Sequence, residues 1–322
     1  MRSIRWVGLL ALYVGAQAVA LLLANPFRSA GLATNSNPTS AAGPIEIIVI
    51  IVVAPLFILY LARKKGGVAA LRHLILIGIG GALYVTLYAT FAVLLPQSVL
   101  FPPYSGEVVV YPSLILAAIV SASLYLALLM EPQWFVVDLV GFLAAGSLIA
   151  ILGISFAILP AFILLVALLV YDAIAVYGTK HMVSLAEVVT DMKLPILLVM
   201  PDSAGYDYAH APTLKEQRQR PPEEREALFM GLGDVVIPGT LVVSAFIWLP
   251  SHPELLGIGG NLWAGIGALV GSLVGYATLM RIVLRGNAQA GLPFLNGGAL
   301  AGYILVYLLV FRSFSLGLTG GI

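Results

Sequence analysis

Long apolar segments alternate with short polar segments along the whole chain. Nine of the apolar segments have about 20 residues or more, enough for a helix to cross a hydrocarbon core of about 30 Å. Strands of a membrane barrel would instead show segments of roughly ten residues with alternating hydrophobicity. The pattern therefore predicts an all-α multi-pass membrane protein. Its nine transmembrane helices are expected at about 6–24, 44–62, 71–95, 112–130, 134–153, 156–178, 227–249, 262–284 and 293–311.

The fifth and sixth spans, and the first span, are assigned from the lengths of their apolar segments. Residues 134–178 contain no strongly polar break, and one helix of these 45 residues would be roughly 67 Å long at about 1.5 Å per residue. The segment must therefore contain two spans, with the turn near 153–155. The first apolar segment is longer than the roughly 7 to 15 residues of a cleavable signal peptide, so we interpret it as a retained span.

Residues 203–225, between the sixth and seventh spans, are the only long hydrophilic stretch of the chain. Residues 181–192 place apolar side chains at helical spacing, which predicts an amphipathic helix at the membrane surface. Residues 194–200 are apolar but too short to span, which favours a short interfacial strand, and the polar residues that follow are predicted to form a mobile loop. The expected division is a six-helix part at 1–180, an amphipathic helix and mobile loop at 181–226, and a three-helix part at 227–322.

Composition supports the membrane class and narrows the chemistry. Hydrophobic residues make up 61% of the 322 residues, charged residues only 10%, and the mean hydropathy is +1.03. The chain has no cysteine, which excludes disulfides and thiolate metal sites. It also lacks the HExxH motif of zinc proteases and the Gly-x-Ser-x-Gly motif of serine hydrolases. We expect no metal and no cofactor, and the net charge of +1 gives no reason to expect a nucleic-acid partner.

The basic residues predict the orientation of the spans. With nine spans, 14 of the 16 Lys and Arg residues fall on the side of the N-terminus, and only Arg28 and Arg312 fall on the other. The positive-inside rule then places the N-terminus and the loop 179–226 in the cytoplasm and the C-terminus outside. The expected location is the cell membrane.

Two carboxylates interrupt the apolar spans. Asp172 follows Tyr171 in the sixth span, and Asp234 ends the sequence Gly231-Leu232-Gly233-Asp234 near the start of the seventh. A charged side chain at the centre of a bilayer costs at least about 2.5 kcal/mol, so such acids usually serve a function. Asp172 lies eight residues before Lys180 and Asp234 nine after Arg225, so both are expected roughly 12 Å below the same cytoplasmic surface.

Two carboxylates at the same depth favour one proton shared between them, the state that an aspartic protease needs. One carboxylate can accept a proton from water as the water attacks a carbonyl, while the other protonates the carbonyl oxygen. Gly231 and Gly233 would remove side-chain bulk beside Asp234. The same two acids could instead form the proton or cation relay of a transporter or channel, which stays an alternative. Asp138, four residues into the fifth span, is a rival acid nearer the surface, and we expect water or a neighbouring helix to satisfy it.

The motifs and their order resemble a known family. Tyr-Asp in a sixth span, Gly-Leu-Gly-Asp in a seventh and a proline motif opening a ninth are similar to the presenilin and signal-peptide-peptidase class of intramembrane aspartyl proteases, in particular their archaeal presenilin-like homologues. The resemblance implies that Asp172 and Asp234 are catalytic. It also implies site-shaping roles for Tyr171, Gly231, Leu232 and Gly233, and substrate-binding roles for Leu292, Pro293, Phe294 and Leu295. In the family's Pro-Ala-Leu motif, Phe294 replaces the alanine.

The resemblance further implies the kind of substrate. The predicted orientation is that of presenilin, which implies cleavage of single-span or signal-peptide-like helices whose N-terminus lies outside, by a single chain or an oligomer. A helical peptide bond is sterically shielded, so the substrate must unwind, and the segment 194–200 could offer it a strand edge. A prepilin or preflagellin peptidase also pairs membrane aspartates and is the remaining enzyme alternative. Nine spans and the proline that opens the ninth favour the presenilin-like assignment.

Overall fold

The computed structural model describes residues 2–95, 99–101, 108–178, 194–203, 205–212, 216, 224–283 and 289–318. Within this part of the chain there are nine long helices and three two-stranded antiparallel sheets. The helices are α1 (Arg2–Ser29), α2 (Ala42–Ala62), α3 (Gly67–Leu94), α4 (Pro112–Met130), α5 (Trp134–Ser155), α6 (Ile158–Ala173), α7 (Leu232–Trp248), α8 (Gly260–Val283) and α9 (Leu292–Phe311). The strands are β1 (Val99–Phe101), β2 (Val108–Val110), β3 (Leu197–Pro201), β4 (Ala227–Gly231), β5 (Glu254–Leu255) and β6 (Ile258–Gly259).

The predicted nine-helix class is confirmed. Eight helices are long and apolar enough to cross a membrane, and α7, with 17 residues, is a shorter apolar helix. The helix α4 has the predicted bounds, and α5 ends at Ser155, next to the turn expected between the fifth and sixth spans. A π-helical turn, Ile174–Gly178, extends α6.

The predicted start of the seventh helix at residue 227 is wrong. Residues Ala227–Gly231 form β4, which pairs antiparallel with β3, and the helix begins only at Leu232. The apolar run before Gly231 is compatible with either a strand or a helix, and pairing with the distant β3 decides between them. The interfacial strand expected at 194–200 is present as β3, shifted toward the C-terminus. The amphipathic helix predicted at 181–192 lies outside the described residues.

Helix α5 is the centre of the helical bundle. It packs against α1 and α7, and its N-terminal half also packs against β3. A Cβ atom added to Gly153 would overlap the side chain of Val243, which shows how closely α5 and α7 approach. One buried apolar cluster joins α1 and α5 to α9, and a second joins α3, α4 and α5 to the β3–β4 hairpin with Tyr206 and Tyr208.

Helices α8 and α9 form the most extensive helix pair, and glycine permits it. Gly267, Gly271 and Gly275 repeat at four-residue spacing along α8, and a Cβ atom at any of them would overlap the α9 chain. Gly298 and Gly302 meet them from α9. The face of small residues lets two membrane helices approach closely. This contact sets the position of the N-terminus of α9, which lies beside Asp172 and Asp234.

Candidate active site

Asp172 lies in the last turn of α6, immediately before the π-helical turn. Its side chain is only 6% exposed. Carboxylate Oδ2 accepts a hydrogen bond from the backbone N–H of Leu292 at 3.0 Å. Leu292 is the first residue of α9, so this N–H is one of the groups that a helix N-terminus leaves without an intrahelical partner. The positive end of the α9 dipole therefore faces the carboxylate of Asp172.

Three further hydrogen bonds join α6 to the segment that opens α9. The Tyr177 hydroxyl, in the π-helical turn, donates to Gln289 Oε1 at 2.7 Å and accepts from the backbone N–H of Ala290 at 3.3 Å. Below them, the buried Asn296 side chain donates from Nδ2 to the Leu165 carbonyl at 2.9 Å. Hydrogen bonds at Tyr177 on one side and at Asn296 on the other therefore fix the contact between Asp172 and Leu292.

Asp234 lies in the first turn of α7, directly after β4. Gly231 is the last residue of β4 and the N-cap of α7, with extended φ and ψ of −65° and 139°. A Cβ atom on Gly231 would lie 3.5 Å from Asp234 Oδ2, whereas one on Gly233 would have no atom within 4 Å. Leu232 is buried, and a Cβ atom on Gly141 of α5 would lie 3.5 Å from its side chain. The hairpin and α5 therefore position the turn that carries Asp234.

Gly291 is a site residue that the sequence did not reveal. A Cβ atom at this position would lie 2.8 Å from Asp234 Oδ1 and 2.9 Å from Oδ2, so the backbone of Gly291 covers this carboxyl group. Its neighbour Leu292 donates its backbone N–H to Asp172. The structure thus brings both predicted acids together beneath the turn that opens α9. Gly291 is one of 33 glycines, and the only local sign of its role is its place before Leu292-Pro293 at a helix start.

The other predicted site residues lie around this turn in different environments. Pro293 is in the first turn of α9, where its lack of an N–H costs no helical hydrogen bond. Leu295 is fully buried, while Leu292 and Phe294 are half-buried against the same core. A Cβ atom on Gly275 would overlap the Phe294 carbonyl, so the backbone here is seated on α8.

Tyr171 and Asp138 are the remaining residues that the sequence proposed for the site or as a rival acid. Tyr171, the residue before Asp172, is half-buried and packs against the larger apolar cluster. Asp138 does not share the site, because its Oδ1 accepts a hydrogen bond from the backbone N–H of Val199 in β3 at 2.7 Å. A strand binds one oxygen of this acid, in place of the water or helix that we expected, and Oδ2 is buried without a hydrogen-bond partner among the described residues. An apolar groove of about 630 Å³ along α6, which includes Val166 and Val170, lies on the exposed face of this helix and away from buried Asp172.

Comparison with known proteins gives a consistent result. The family model described as "Signal-peptide peptidase, presenilin aspartyl protease" matches residues 10–312. A solved presenilin family intramembrane aspartate protease, in space group C222, is 28% identical with a TM-score of 0.65, covering 95% of this chain and 99% of that one. A second such structure, in space group P2, is 29% identical with a TM-score of 0.62, covering 94% and 97%. The comparison with curated proteins gave no match.

Proposed function

Because the chain belongs to the signal-peptide-peptidase and presenilin aspartyl protease family, we propose that Asp172 and Asp234 are its catalytic pair. The chain is an intramembrane aspartyl protease, an aspartic endopeptidase that acts on membrane-embedded helical substrates. The observation that supports this pair is the turn before α9, whose Leu292 N–H binds Asp172 while Gly291 covers Asp234. The transporter and prepilin-peptidase alternatives have no comparable support.

The geometry favours different tasks for the two acids. Each acid lies at a helix N-terminus, but among the described residues only Asp172 accepts a hydrogen bond from a backbone N–H, that of Leu292, so we assign the ionised state to this residue. Asp234 then carries the shared proton. Asp172 accepts a proton from the attacking water, and Asp234 donates its proton to the carbonyl oxygen, which gives a neutral gem-diol. Collapse of this intermediate returns a proton to Asp234 and breaks the C–N bond, while Asp172 protonates the leaving amine.

We also propose the orientation that the charge distribution predicts, with the N-terminus and loop 179–226 in the cytoplasm. Cleavage would then occur near the cytoplasmic face, in single-span or signal-peptide-like substrates whose N-terminus lies outside. The division into 1–180, 181–226 and 227–322 stays a prediction, as does oligomer formation.

Reconstitution into vesicles tests the function and the orientation together. Since the chain has no native cysteine, Thr39→Cys and Ser203→Cys report the two sides by reaction with an impermeant thiol reagent. We expect Ser203→Cys to be labelled from the cytoplasmic side and Thr39→Cys from the other. Mass spectrometry should locate the cut of a single-span substrate on the side of Ser203. Ion flux without proteolysis would contradict the protease assignment, and reversed labelling would contradict the orientation alone.

The β3–β4 hairpin suggests how an unwound substrate is held. Hydrogen bonds from Asp202 N–H to the Glu226 carbonyl and from Leu232 N–H to the Ile196 carbonyl fix its register. Because bonded pairs alternate with non-bonded pairs in an antiparallel ladder, the even-numbered residues bond within the hairpin. The backbone groups of the odd-numbered residues therefore point outward: Leu197, Val199 and Pro201 in β3, and Ala227, Phe229 and Gly231 in β4.

We propose that the substrate adds as a strand to the outer edge of β4. Among the described residues, β4 makes only small contacts with α1 and α7 besides its pairing with β3, whereas α5 packs along β3. The β4 edge ends at Gly231, three residues before Asp234, so an added strand would run toward the catalytic pair. This replaces the edge at 194–200 that the sequence suggested. Main-chain hydrogen bonds to an exposed edge accept many sequences, which suits a protease of apolar helices.

Replacing Phe229 with proline tests this arrangement. Proline removes an outward N–H but no hydrogen bond of the hairpin, and it is tolerated on edge strands. A substrate would lose one main-chain hydrogen bond, so we expect kcat/KM to fall by about 10-fold to 100-fold. Phe229→Ala is the matched control, because it removes the ring and keeps the N–H. Equal activity of the proline and alanine variants would exclude addition to this edge.

A further inference from the structure

Asp138 is a buried acid that the catalytic mechanism does not use. It lies near the start of α5, is 5% exposed and binds the backbone N–H of Val199 through Oδ1 at 2.7 Å. Val199 is an odd-numbered residue of β3, so the N–H that Asp138 binds is an outward one. A carboxylate from a helix thus occupies the donor that a further strand would need at this edge.

A second residue blocks the same edge. Pro201 is also at an outward position of β3, and proline has no N–H to donate. Of the three outward positions of β3, only Leu197 keeps an N–H that no described residue binds. On β4, Ala227, Phe229 and Gly231 all have an N–H, and no carboxylate in the described part of the chain binds any of the three. The two edges of the hairpin are therefore chemically different.

Helix α5 holds the hairpin by the face that carries Asp138. Gly141, one turn further along, faces the same side, and a Cβ atom there would lie 3.3 Å from Leu198 and 3.5 Å from Leu232. The fully buried Tyr208, from the loop after β3, packs into the same cluster as Val199. Burial, and then the nearby Tyr206 and Asp138, raise the pKa of Tyr208 above its usual range. The acid therefore lies in a packed junction between a membrane helix, the hairpin and the loop.

We propose that Asp138 is a positioning residue for proteolysis that, together with Pro201, blocks the outer edge of β3 and so confines the unwound substrate to the edge of β4. The inference rests on the proposed addition of the substrate as a strand. Addition to β3 would place the substrate on the side of the hairpin away from the strand that continues into Asp234. Blocking that edge prevents unproductive binding and sets the register between substrate and catalytic pair.

Disulfide cross-linking tests which edge is used. In an inactive Asp234→Asn background, a substrate with one cysteine near its cleavage site is combined with Phe229→Cys on β4 or Leu197→Cys on β3, each the only cysteine of the enzyme. We expect cross-links to Phe229→Cys alone. When Asp138→Leu is added, the yield of cross-links to Leu197→Cys should rise at least fivefold. The double change Asp138→Leu/Pro201→Ala should raise this yield further. Asp138→Asn keeps a carbonyl acceptor for the Val199 N–H and should retain the original pattern.

Product analysis and hydrogen exchange supply independent readouts. In the active enzyme, Asp138→Leu should lower kcat and KM together, as unproductive binding does, and spread the cleavage positions. The unaltered protein gives a readout that needs no variant. Bound substrate should slow amide exchange at residues 227–231 and leave the exchange rate at residues 197–201 unchanged. Cross-links to Leu197→Cys with Asp138 intact, or no increase in the folded double variant, would overturn the inference and leave the protease function standing. Absence of cross-links at both positions would overturn strand addition and this inference together.

Discussion

Replacing either Asp172 or Asp234 with asparagine is expected to reduce cleavage of a membrane substrate by at least about 10³-fold. Asparagine has nearly the same shape and can still accept the hydrogen bond from Leu292 N–H at position 172, but it cannot carry or transfer the proton. The loss therefore reports proton transfer and not the contact that holds α9. Because the two acids act as one unit, we expect the double variant to be no slower than the slower single variant.

Product formation in proteoliposomes, quantified by mass spectrometry under single-turnover conditions, measures this loss. Asp207→Asn is the matched control, since Asp207 is an exposed acid that binds His210 at 2.8 Å in the loop after β3. The hydrogen bond from His210 holds the pKa of Asp207 below its usual value, so Asp207 is ionised at neutral pH and the control also removes one carboxylate charge. Activity that survives either catalytic substitution would show that this pair does not perform the chemistry.

The same pair should give a bell-shaped dependence of kcat/KM on pH. Activity requires one ionised and one protonated carboxyl group, so it falls when both are protonated at low pH and when both are ionised at high pH. The two limbs report macroscopic pKa values of the pair and not of either residue alone.

The helices of this fold could be predicted from the sequence because each depends on a local property. A run of about 20 apolar residues can satisfy its backbone in lipid only as a helix, which is why α4 has the predicted bounds. The start of α7 could not be predicted in the same way. The five residues of β4 are apolar whether they form a helix or a strand, and their partner in β3 lies about 30 residues away in the chain.

The residues of the candidate site also differ in whether a local property of the sequence identifies them. Asp172 and Asp234 were identifiable because an acid in an apolar span is locally anomalous. The common depth expected for them assumed a helix from Arg225 to Asp234, whereas residues 227–231 form β4. Gly291 and the partner of Asp138 were not identifiable, since each has its role through a contact between segments more than 50 residues apart. Apart from its place before Leu292-Pro293, nothing in the local pattern distinguishes Gly291 from the glycines that only allow α8 and α9 to pack.

The second large effect is expected at Gly291, where alanine should lower kcat by about 100-fold with little change in KM. The added Cβ atom would lie within 2.9 Å of all three carboxyl atoms of Asp234, closer than such atoms can approach, so the carboxyl group must move. Catalytic groups tolerate displacements of only about 0.5 Å. The backbone itself would not be strained, because Gly291 has φ −80° and ψ −48°, which alanine adopts readily.

Two other alanine substitutions separate this contact from a general effect of losing a glycine. Gly78 on α3 faces open space, so Gly78→Ala should leave kcat unchanged. Gly231→Ala would place its Cβ atom 3.5 Å from Asp234 Oδ2, an ordinary contact distance, and should cost less than Gly291→Ala. Thermal unfolding of each variant separates a displaced Asp234 carboxyl group from a loss of folded protein, because the backbone angles at position 291 suit alanine. A folded Gly291→Ala variant with full kcat would mean that the turn before α9 does not control the Asp234 carboxyl group.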